Sequence, residues 1–169
     1  LSGAADVALM AIIADGEARY VERLSDRRLG AVVIGPGYPM SERLGRDVAM
    51  ALDADKPLVL DAAAIDAALP RLRARRGVSA ILTPHEGEFA RAFPDLVGNK
   101  IERAKAAAAD SGAVVVYKGA DTVIAAPDGR VVAAWPGSPW LATAGTGDVL
   151  AGACGAMLAR GGDAFDAAV

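Results

Sequence analysis

The sequence predicts an α/β fold: a mostly parallel mixed sheet flanked by helices, with an antiparallel hairpin towards the C-terminus. Over residues 31–117, short apolar runs alternate with longer helical segments that carry charged residues, which is typical of parallel βαβ units. Further along, two β-rich runs flank Pro127-Asp128-Gly129, and such a turn joins antiparallel strands. This change of pattern predicts a mixed sheet rather than a purely parallel one.

The predicted strands are apolar runs that end at glycine, proline or a polar residue. They cover residues 31–34, 57–60, 79–82 and 113–117, followed by a hairpin of residues 122–126 and 130–135. Ser41 is the predicted N-cap of a helix that reaches Leu52. Further helices are predicted over residues 99–111, from the region of Asp148, and from near Asp163.

Composition restricts the class of protein. The 169 residues suit one domain, and a hydrophobic fraction of 53% allows a solid core. The net charge is −3, and Lys and Arg are not gathered into one stripe, so no nucleic-acid partner is expected. A short basic cluster at residues 71–76 is interpreted as a solvated helix end.

The single cysteine, Cys154, excludes an internal disulfide and is interpreted as a small core residue. This fits a reducing compartment, and we expect a cytoplasmic location. No apolar run is long enough to span a bilayer, and residues 1–10 lack the charged start of a signal peptide, so no membrane partner is expected. The chain opens on Leu1 and stops within a predicted helix, and we interpret it as part of a longer polypeptide or as a shortened relative of one.

The stretch of residues 142–150 carries the strongest functional signal. Gly145 and Gly147 let backbone N–H groups turn towards one point, and a helix that begins there adds unpaired N–H groups and the positive end of its dipole. This predicts an anion cradle for a phosphate, with Asp148 at its rim to accept a proton. Alternatively, Asp148 is only a favourable charge at a helix start. The functional interpretation is preferred because so apolar a helix should be buried, which would point its N-terminus into a cleft.

Other polar residues collect where the predicted parallel strands end. The carboxyl ends of parallel strands lie at one edge of a sheet, where open α/β proteins bind ligands. That edge receives Gly35-Pro36-Gly37, Asp61, His85, Glu86, Glu88, Lys118 and Gly119. The chain has no G-x-G-x-x-G fingerprint and no P-loop, so a phosphate would bind at the cradle around Asp148.

Each of these residues also has a structural explanation. His85, the only histidine, is either a hydrogen-bonded structural residue or a ligand contact. Glu88 either helps to hold a hydrated Mg²⁺ near phosphates or only favours the start of the next helix. For Glu86 the helix-start interpretation is preferred. Lys118 either neutralises a phosphate or belongs to an ordinary turn.

Four stretches, in this order, resemble the ADP/ATP-dependent NAD(P)H-hydrate dehydratases of the ribokinase-like superfamily: residues 33–37, 82–88, 117–124 and 139–152. The Gly-Thr-Gly-Asp element in the last stretch marks only the superfamily. The Thr-Pro-His-Glu-Gly-Glu element, together with Lys-Gly-Ala-Asp-Thr, points to the dehydratase branch. The resemblance implies one ribokinase-like dehydratase domain over residues 1–169, which is partial because family members extend further at both ends.

The resemblance also implies roles for individual residues. Gly37, His85 and Asp148 would contact the hydrated nicotinamide nucleotide, and Asp148 would be the catalytic base. By resemblance, the adenine nucleotide would contact Gly147 and the loop of Lys118, Gly119, Ala120, Asp121 and Thr122. The predicted anion cradle adds Gly145 and Thr146 to the nucleotide-binding residues. Mg²⁺ would lie near Glu88, through water. The family usually has a second carboxylate at the position of Ala63, and often an Asn where this chain has Gly137-Ser138-Pro139.

The implied activity is the ADP-dependent dehydration of hydrated NADH or NADPH (NADHX or NADPHX) to NAD(P)H, with release of AMP and phosphate. ADP or ATP would be the phosphoryl donor, with Mg²⁺, and a homo-oligomer is left open. Two alternatives are open as well. A small-molecule kinase of the same superfamily would use the Asp148 cradle but keep its product phosphorylated. A nucleotide-binding remnant without turnover is suggested by the missing N-terminal region and by Ala63.

Overall fold

Six strands form one sheet in the computed structural model, which describes residues 16–134, 137, 140 and 142–169. The strands lie side by side in chain order: β1 (Val32–Ile34), β2 (Leu58–Leu60), β3 (Ala80–Leu82), β4 (Val114–Tyr117), β5 (Val123–Ala125) and β6 (Val131–Ala133). Strands β1 to β4 pair in parallel, whereas β4 with β5 and β5 with β6 pair antiparallel. The predicted mixed sheet and its antiparallel C-terminal portion are confirmed.

Helices pack on both faces of this sheet. They are α1 (Glu17–Leu24), α2 (Glu42–Asp53), α3 (Ala63–Ala74), α4 (Glu86–Ala92), α5 (Lys100–Ser111), α6 (Thr146–Ala159) and α7 (Ala164–Ala168). Successive side chains of a strand point to opposite faces. Leu58 and Leu60 therefore pack with α2 to α5, and Val59 packs with α6 and α7. Because both faces of β2 are buried, its sequence is continuously apolar rather than alternating.

Local side-chain chemistry sets where several helices begin. Ser41 is confirmed as the N-cap of α2, because its Oγ accepts a hydrogen bond from the Leu44 amide at 3.2 Å. A capping box opens α5: the Glu102 amide donates to Asn99 Oδ1 at 3.0 Å, and the Asn99 amide donates to Glu102 Oε2 at 2.9 Å. Asp163 is the N-cap of α7. The helix starts predicted at Ser41, Asn99 and Asp163 therefore rest on specific hydrogen bonds.

The basic cluster lies at the end of α3, as predicted, but it is paired rather than only solvated. Its ion pairs join α3 and the residues after it to neighbouring segments: Arg71 with Asp53 at 3.1 Å, Arg73 with Asp110 at 2.7 Å, and Arg75 with Asp55 at 2.9 Å. The side chains are about half-exposed, so each pair contributes roughly 0–1 kcal/mol. None of the helices among the described residues has the length and apolarity needed to cross a membrane.

Helix α6 is only half-buried, so the expectation of a wholly buried helix is wrong. Ala151, Cys154 and Leu158 pack against the sheet, whereas Val149 is 73% exposed and Met157 is 47% exposed. Apolar composition shows that a helix can be buried, but the number of covered faces depends on its neighbours. Cys154 is a core residue, as predicted, and burial raises the pKa of its thiol.

Gly35 fixes the close approach of the loop after β1 to the end of β2. Its φ is +128°, in the region that favours glycine, and an added Cβ would overlap the carbonyl oxygen of Asp61. Both the dihedral angle and the lack of space therefore exclude a side chain. This contact brings the loop that contains Gly37 next to Asp61 at the carboxyl edge of the sheet.

We predict that Gly35→Ala lowers the free energy of unfolding by on the order of 2–4 kcal/mol, because it adds backbone strain and a steric overlap. Gly45→Ala is the matched control: Gly45 lies inside α2 with open space around it. The control should raise the free energy of unfolding by about 0.5–1 kcal/mol. Denaturant unfolding followed by circular dichroism measures both variants, and equal stability of Gly35→Ala and wild type would contradict the prediction.

Candidate active site

A buried ion pair lies at the carboxyl edge of the parallel strands. Asp61 follows β2 and Lys118 follows β4, and Lys118 Nζ lies 2.9 Å from Asp61 Oδ1. Thr83, which follows β3 between them, donates its hydroxyl hydrogen to the same oxygen at 2.7 Å. Asp61 is only 4% exposed. Three adjacent strand ends are therefore joined by one carboxylate.

The start of α6 faces this ion pair. Gly145 is the N-cap, with a left-handed φ of +89°, and the Thr146 amide donates to the Thr143 carbonyl at 3.3 Å. The amides of Gly147 and Asp148 donate to no acceptor among the described residues. An added Cβ on Gly147 would lie 3.2 Å from Lys118 Nζ. Two amides without an acceptor among the described residues thus lie close to one ammonium group, and such groups together can bind an anion.

His85 and Glu88 cap the start of α4. The Glu88 amide donates to His85 Nδ1 at 3.2 Å, and the His85 amide donates to Glu88 Oε2 at 2.8 Å. Because Nδ1 accepts, a neutral His85 carries its proton on Nε2, which lies 3.5 Å from Glu88 Oε1. The His85 side chain is 61% exposed. The structural explanation therefore holds for both residues, and the exposed imidazole edge is still open to a ligand.

Glu86 belongs to a packed aromatic and charged cluster. Tyr117 donates its hydroxyl hydrogen to Glu86, and the Arg103 guanidinium lies 3.0 Å from the same carboxylate. These hydrogen bonds hold the pKa of Glu86 below its ordinary value. The Tyr117 and Phe89 rings stack at 4.0 Å, with Arg103 over both. Glu86 lies in the first turn of α4, as the helix-start interpretation requires, and it also joins α4 to β4 and α5, which that interpretation did not include.

The loop after β4 has a support that sequence reasoning missed. Lys100 Nζ donates to Asp121 Oδ1 at 3.0 Å, lies against Gly119, and sits 4.8 Å from the Tyr117 ring centroid. This pairing lowers the pKa of Asp121. Thr122 Oγ1 donates to the Gly119 carbonyl at 3.1 Å. Lys100 is an ordinary first-turn residue of α5 in sequence, and no local pattern could have indicated its contact with a loop 18–21 positions away.

Comparison with known proteins identifies the family. The family model described as NAD(P)H-hydrate dehydratase matches residues 6–169. The chain belongs to this family. A bifunctional NAD(P)H-hydrate repair enzyme from Gloeobacter violaceus is 44% identical over 141 residues, and an ADP-dependent (S)-NAD(P)H-hydrate dehydratase from Xanthomonas campestris is 42% identical over 148 residues. These matches cover 79% and 82% of this chain but only 27% and 49% of the relatives, so the chain spans half or less of their length.

Solved structures share the fold. The ADP/ATP-dependent NAD(P)H-hydrate dehydratase of Bacillus subtilis, co-crystallised with ATP/Mg²⁺, is 37% identical with a TM-score of 0.69, and the match covers 88% of this chain and 55% of that chain. A ribokinase-like superfamily protein from Enterococcus faecalis, at 23% identity and a TM-score of 0.71, shows the fold alone; that match covers 88% of this chain and 54% of that chain. The predicted ribokinase-like fold class is confirmed. That residues 1–169 form one domain stays a prediction.

The structure brings only some of the predicted site residues into contact. Lys118 and the start of α6 meet directly, since Lys118 Nζ lies beside Gly147. Gly37 lies in an open turn with a φ of +67°, in the same loop as Gly35, which lies against the Asp61 carbonyl. Ala63, where the resemblance implies that a second carboxylate is missing, is the first residue of α3. Two interpretations rested on residues outside the described part of the chain: the lack of a signal peptide, on residues 1–10, and the departure from the family's Asn, on residues 138–139.

Because of Tyr117, the free energy of unfolding should fall as the pH rises in the alkaline range. Burial and the Glu86 carboxylate raise the pKa of Tyr117 from 10.0 to about 12, so folding favours the neutral phenol. Its contribution is complete below pH 10 and is lost as the pH rises towards 12. We predict that wild type loses about 1–2 kcal/mol more unfolding free energy over this range than Tyr117→Phe. Urea unfolding at several pH values measures the difference, and parallel pH profiles would contradict it.

Proposed function

We propose that the protein catalyses the nucleotide-dependent dehydration of hydrated NADH or NADPH, and that it releases AMP and phosphate when ADP is the donor. One observation carries the proposal: the Lys118 ammonium lies beside the start of α6, where the amides of Gly147 and Asp148 have no acceptor among the described residues. The names of the relatives from Xanthomonas campestris and Bacillus subtilis support the substrate and the donor.

These amides and the ammonium would bind the terminal phosphoryl group of the nucleotide. Negative charge spreads over the phosphoryl oxygens as the transferred group leaves its donor. Donors that are already aimed at those oxygens stabilise this charge without reorganising. Gly147 serves this purpose because it carries no side chain between its amide and the Lys118 ammonium. Gly145 and Thr146 would form the approach to this subsite.

The loop after β4 would hold the rest of the adenine nucleotide. Gly119, Ala120 and Asp121 are exposed there, next to Lys118. Lys100 holds this loop in place through Asp121, and Thr122 closes it with a hydrogen bond to Gly119. A loop that is ordered before the ligand arrives loses less entropy on binding.

Asp148 would act as the base for phosphoryl transfer. Its side chain is exposed in the first turn of α6, beside the amides that would bind the phosphoryl group. The hydroxyl oxygen of the hydrated nicotinamide would attack the phosphorus, the bond to the donor would break, and Asp148 would take the hydroxyl proton. An aspartate is a weak base, so its main contribution is to orient the hydroxyl, with the proton moving late.

Transfer of the phosphoryl group solves the chemical problem of the hydrate. Hydroxide is a poor leaving group, whereas phosphate leaves readily. The lone pair of the ring nitrogen would then expel phosphate and leave an iminium. Loss of a proton from the neighbouring ring carbon, to phosphate or water, would restore the dihydropyridine ring. His85 and Gly37, at the same edge of the sheet, would contact the hydrated nucleotide, and the exposed imidazole edge of His85 suits such a contact.

Mg²⁺ would bind mainly through the phosphates of the nucleotide and through water. Among the residues that the structure describes, no group of three or more metal-binding side chains is present. Mg²⁺ keeps several waters and takes few protein ligands. Glu88 Oε2 already accepts the His85 amide hydrogen, and Glu88 lies 4.0 Å from Lys118 Nζ, so it fits an outer position that orients water. Bound Mg²⁺ would neutralise phosphate charge.

We also propose a cytoplasmic location, which a buried free cysteine supports.

We predict that the protein, incubated with NADHX, Mg²⁺ and ADP or ATP, restores the absorbance of reduced nicotinamide and releases one phosphate for each NADH. The reaction without nucleotide is the control and should not proceed. A stable phosphorylated product would instead indicate a small-molecule kinase. Binding of ADP without consumption of NADHX would indicate a remnant without turnover. Either result contradicts the proposal.

Asp148→Asn should lower kcat by about 10²–10⁴-fold, because it removes a general base while keeping the shape of the side chain. The affinity for ADP should change little. Asp95→Asn is the control, since Asp95 is also an exposed aspartate, in the loop after α4. Initial rates of NADHX loss for the three proteins make the comparison, and an unchanged rate for Asp148→Asn would refute the assigned role.

A further inference from the structure

We infer that Asp61 is a positioning residue for the nucleotide, and that it acts through Lys118. The inference rests on the proposed function in one respect, namely that the anionic ligand at the start of α6 is an adenine nucleotide. Asp61 itself is almost fully buried, 4% exposed, and is not placed to touch the ligand as Lys118 is.

The Asp61 carboxylate is held rigidly. Its Oδ1 accepts the hydroxyl hydrogen of Thr83 at 2.7 Å, and Thr83 is itself fully buried. The backbone is fixed as well, because the Asp61 amide donates to the Ile34 carbonyl at 3.0 Å and the Thr83 amide donates to the Leu60 carbonyl at 3.1 Å. The carboxylate is thus a fixed point at the sheet edge.

Lys118 uses only one of its N–H donors to bind the Asp61 carboxylate among the described residues. Its ammonium group has three N–H donors, and one meets Asp61 Oδ1 at 2.9 Å. Among the described residues Nζ forms no other hydrogen bond, and Glu88 Oε2 is 4.0 Å away. The Lys118 side chain is 17% exposed, and Nζ lies beside Gly147. The remaining donors are therefore available to an anion held by the start of α6.

Asp61 is needed because a lysine side chain is flexible. Its ammonium sits on a four-carbon stem, and rotamer freedom must be lost before it can hold a phosphate oxygen in one place. The ion pair with Asp61 restricts that freedom before the nucleotide arrives, which lowers the entropy lost on binding. Removing the Asp61 charge would let Lys118 turn away from the start of α6.

A double-mutant cycle on ADP affinity tests the inference. Isothermal titration of ADP, in the presence of Mg²⁺, compares wild type with Asp61→Asn, Lys118→Met and the double variant. Each single variant should bind ADP on the order of 10-fold more weakly, as expected for loss of a charge-assisted hydrogen bond. The double variant should match Lys118→Met within about 2-fold, because Asp61 acts through Lys118.

Independent losses that multiply to roughly 100-fold in the double variant would overturn the inference, as would tighter binding by Asp61→Asn. Asp110→Asn is the control, since it removes a surface ion pair with Arg73 near the C-terminal end of α5, away from the Lys100 end that contacts the loop after β4, and it should leave ADP affinity unchanged. If Asp61→Asn fails to fold, Thr83→Val replaces it, with a loss of about 3-fold that disappears in the Lys118→Met background.

Turnover separates positioning from a merely structural role. In the folded variants, Asp61→Asn should lower kcat and raise the KM for ADP, with an unchanged KM for NADHX; a fall in stability with unchanged kinetics would overturn the inference. Wild type that binds ADP but does not restore NADH ends the proposed function, while the binding cycle still decides the role of Asp61. Wild type that does not bind ADP overturns both.

Discussion

The ion pair between Asp61 and Lys118 is the interaction on which the site depends. It lies at the ends of β2 and β4, and Thr83, at the end of β3, completes it. Taking a carboxylate out of water is unfavourable unless it is paired and hydrogen-bonded. Asp61 meets both conditions, so the three strand ends have to stay in register. Because the ion pair satisfies a buried charge at the sheet edge, the same interaction that orders the edge also fixes the position of an ammonium group.

The order of the strands makes this interaction possible. Strands β1 to β4 run parallel and lie side by side in chain order, so every loop that follows them opens on the same edge. The antiparallel strands β5 and β6 then reverse the chain, and α6 packs on the opposite face from α2 and α3. Its first turn reaches the edge beside Lys118. Residues more than 80 positions apart in sequence are thus brought by topology to one corner, which is the anion site that we propose.

The sequence was sufficient for the architecture. Apolar runs bounded by Gly35, Asp61 and Lys118 predicted the strands, and capping residues such as Ser41 and Asn99 predicted the helix starts, because both signals are local. Strand direction placed the residues after each parallel strand at one edge, and the glycine-rich start of an apolar helix predicted that α6 begins at a cleft.

Other features of the site depend on which side chains meet, and no local pattern carries that information. The Asp61–Lys118 pair and the contact of Lys100 with Asp121 join residues that are 57 and 21 positions apart. Burial is also not decided by local sequence: Val149 on α6 is apolar yet exposed, because burial depends on what packs opposite a side chain. For His85 and Glu88 the sequence left two roles open, helix capping and contact with a ligand. The structure shows the capping, and the exposed imidazole edge of His85 still allows a ligand contact.

The chemistry proposed for this corner is the transfer of a phosphoryl group to the hydroxyl of the hydrated nucleotide, with elimination afterwards. The most direct measurement is the fate of the hydroxyl oxygen. NADHX prepared with a heavy isotope of oxygen in its hydroxyl group is converted to NADH with ADP and Mg²⁺, and mass spectrometry then locates the label. The account predicts that the label is in the released phosphate. Label found in water, with unlabelled phosphate, would contradict it.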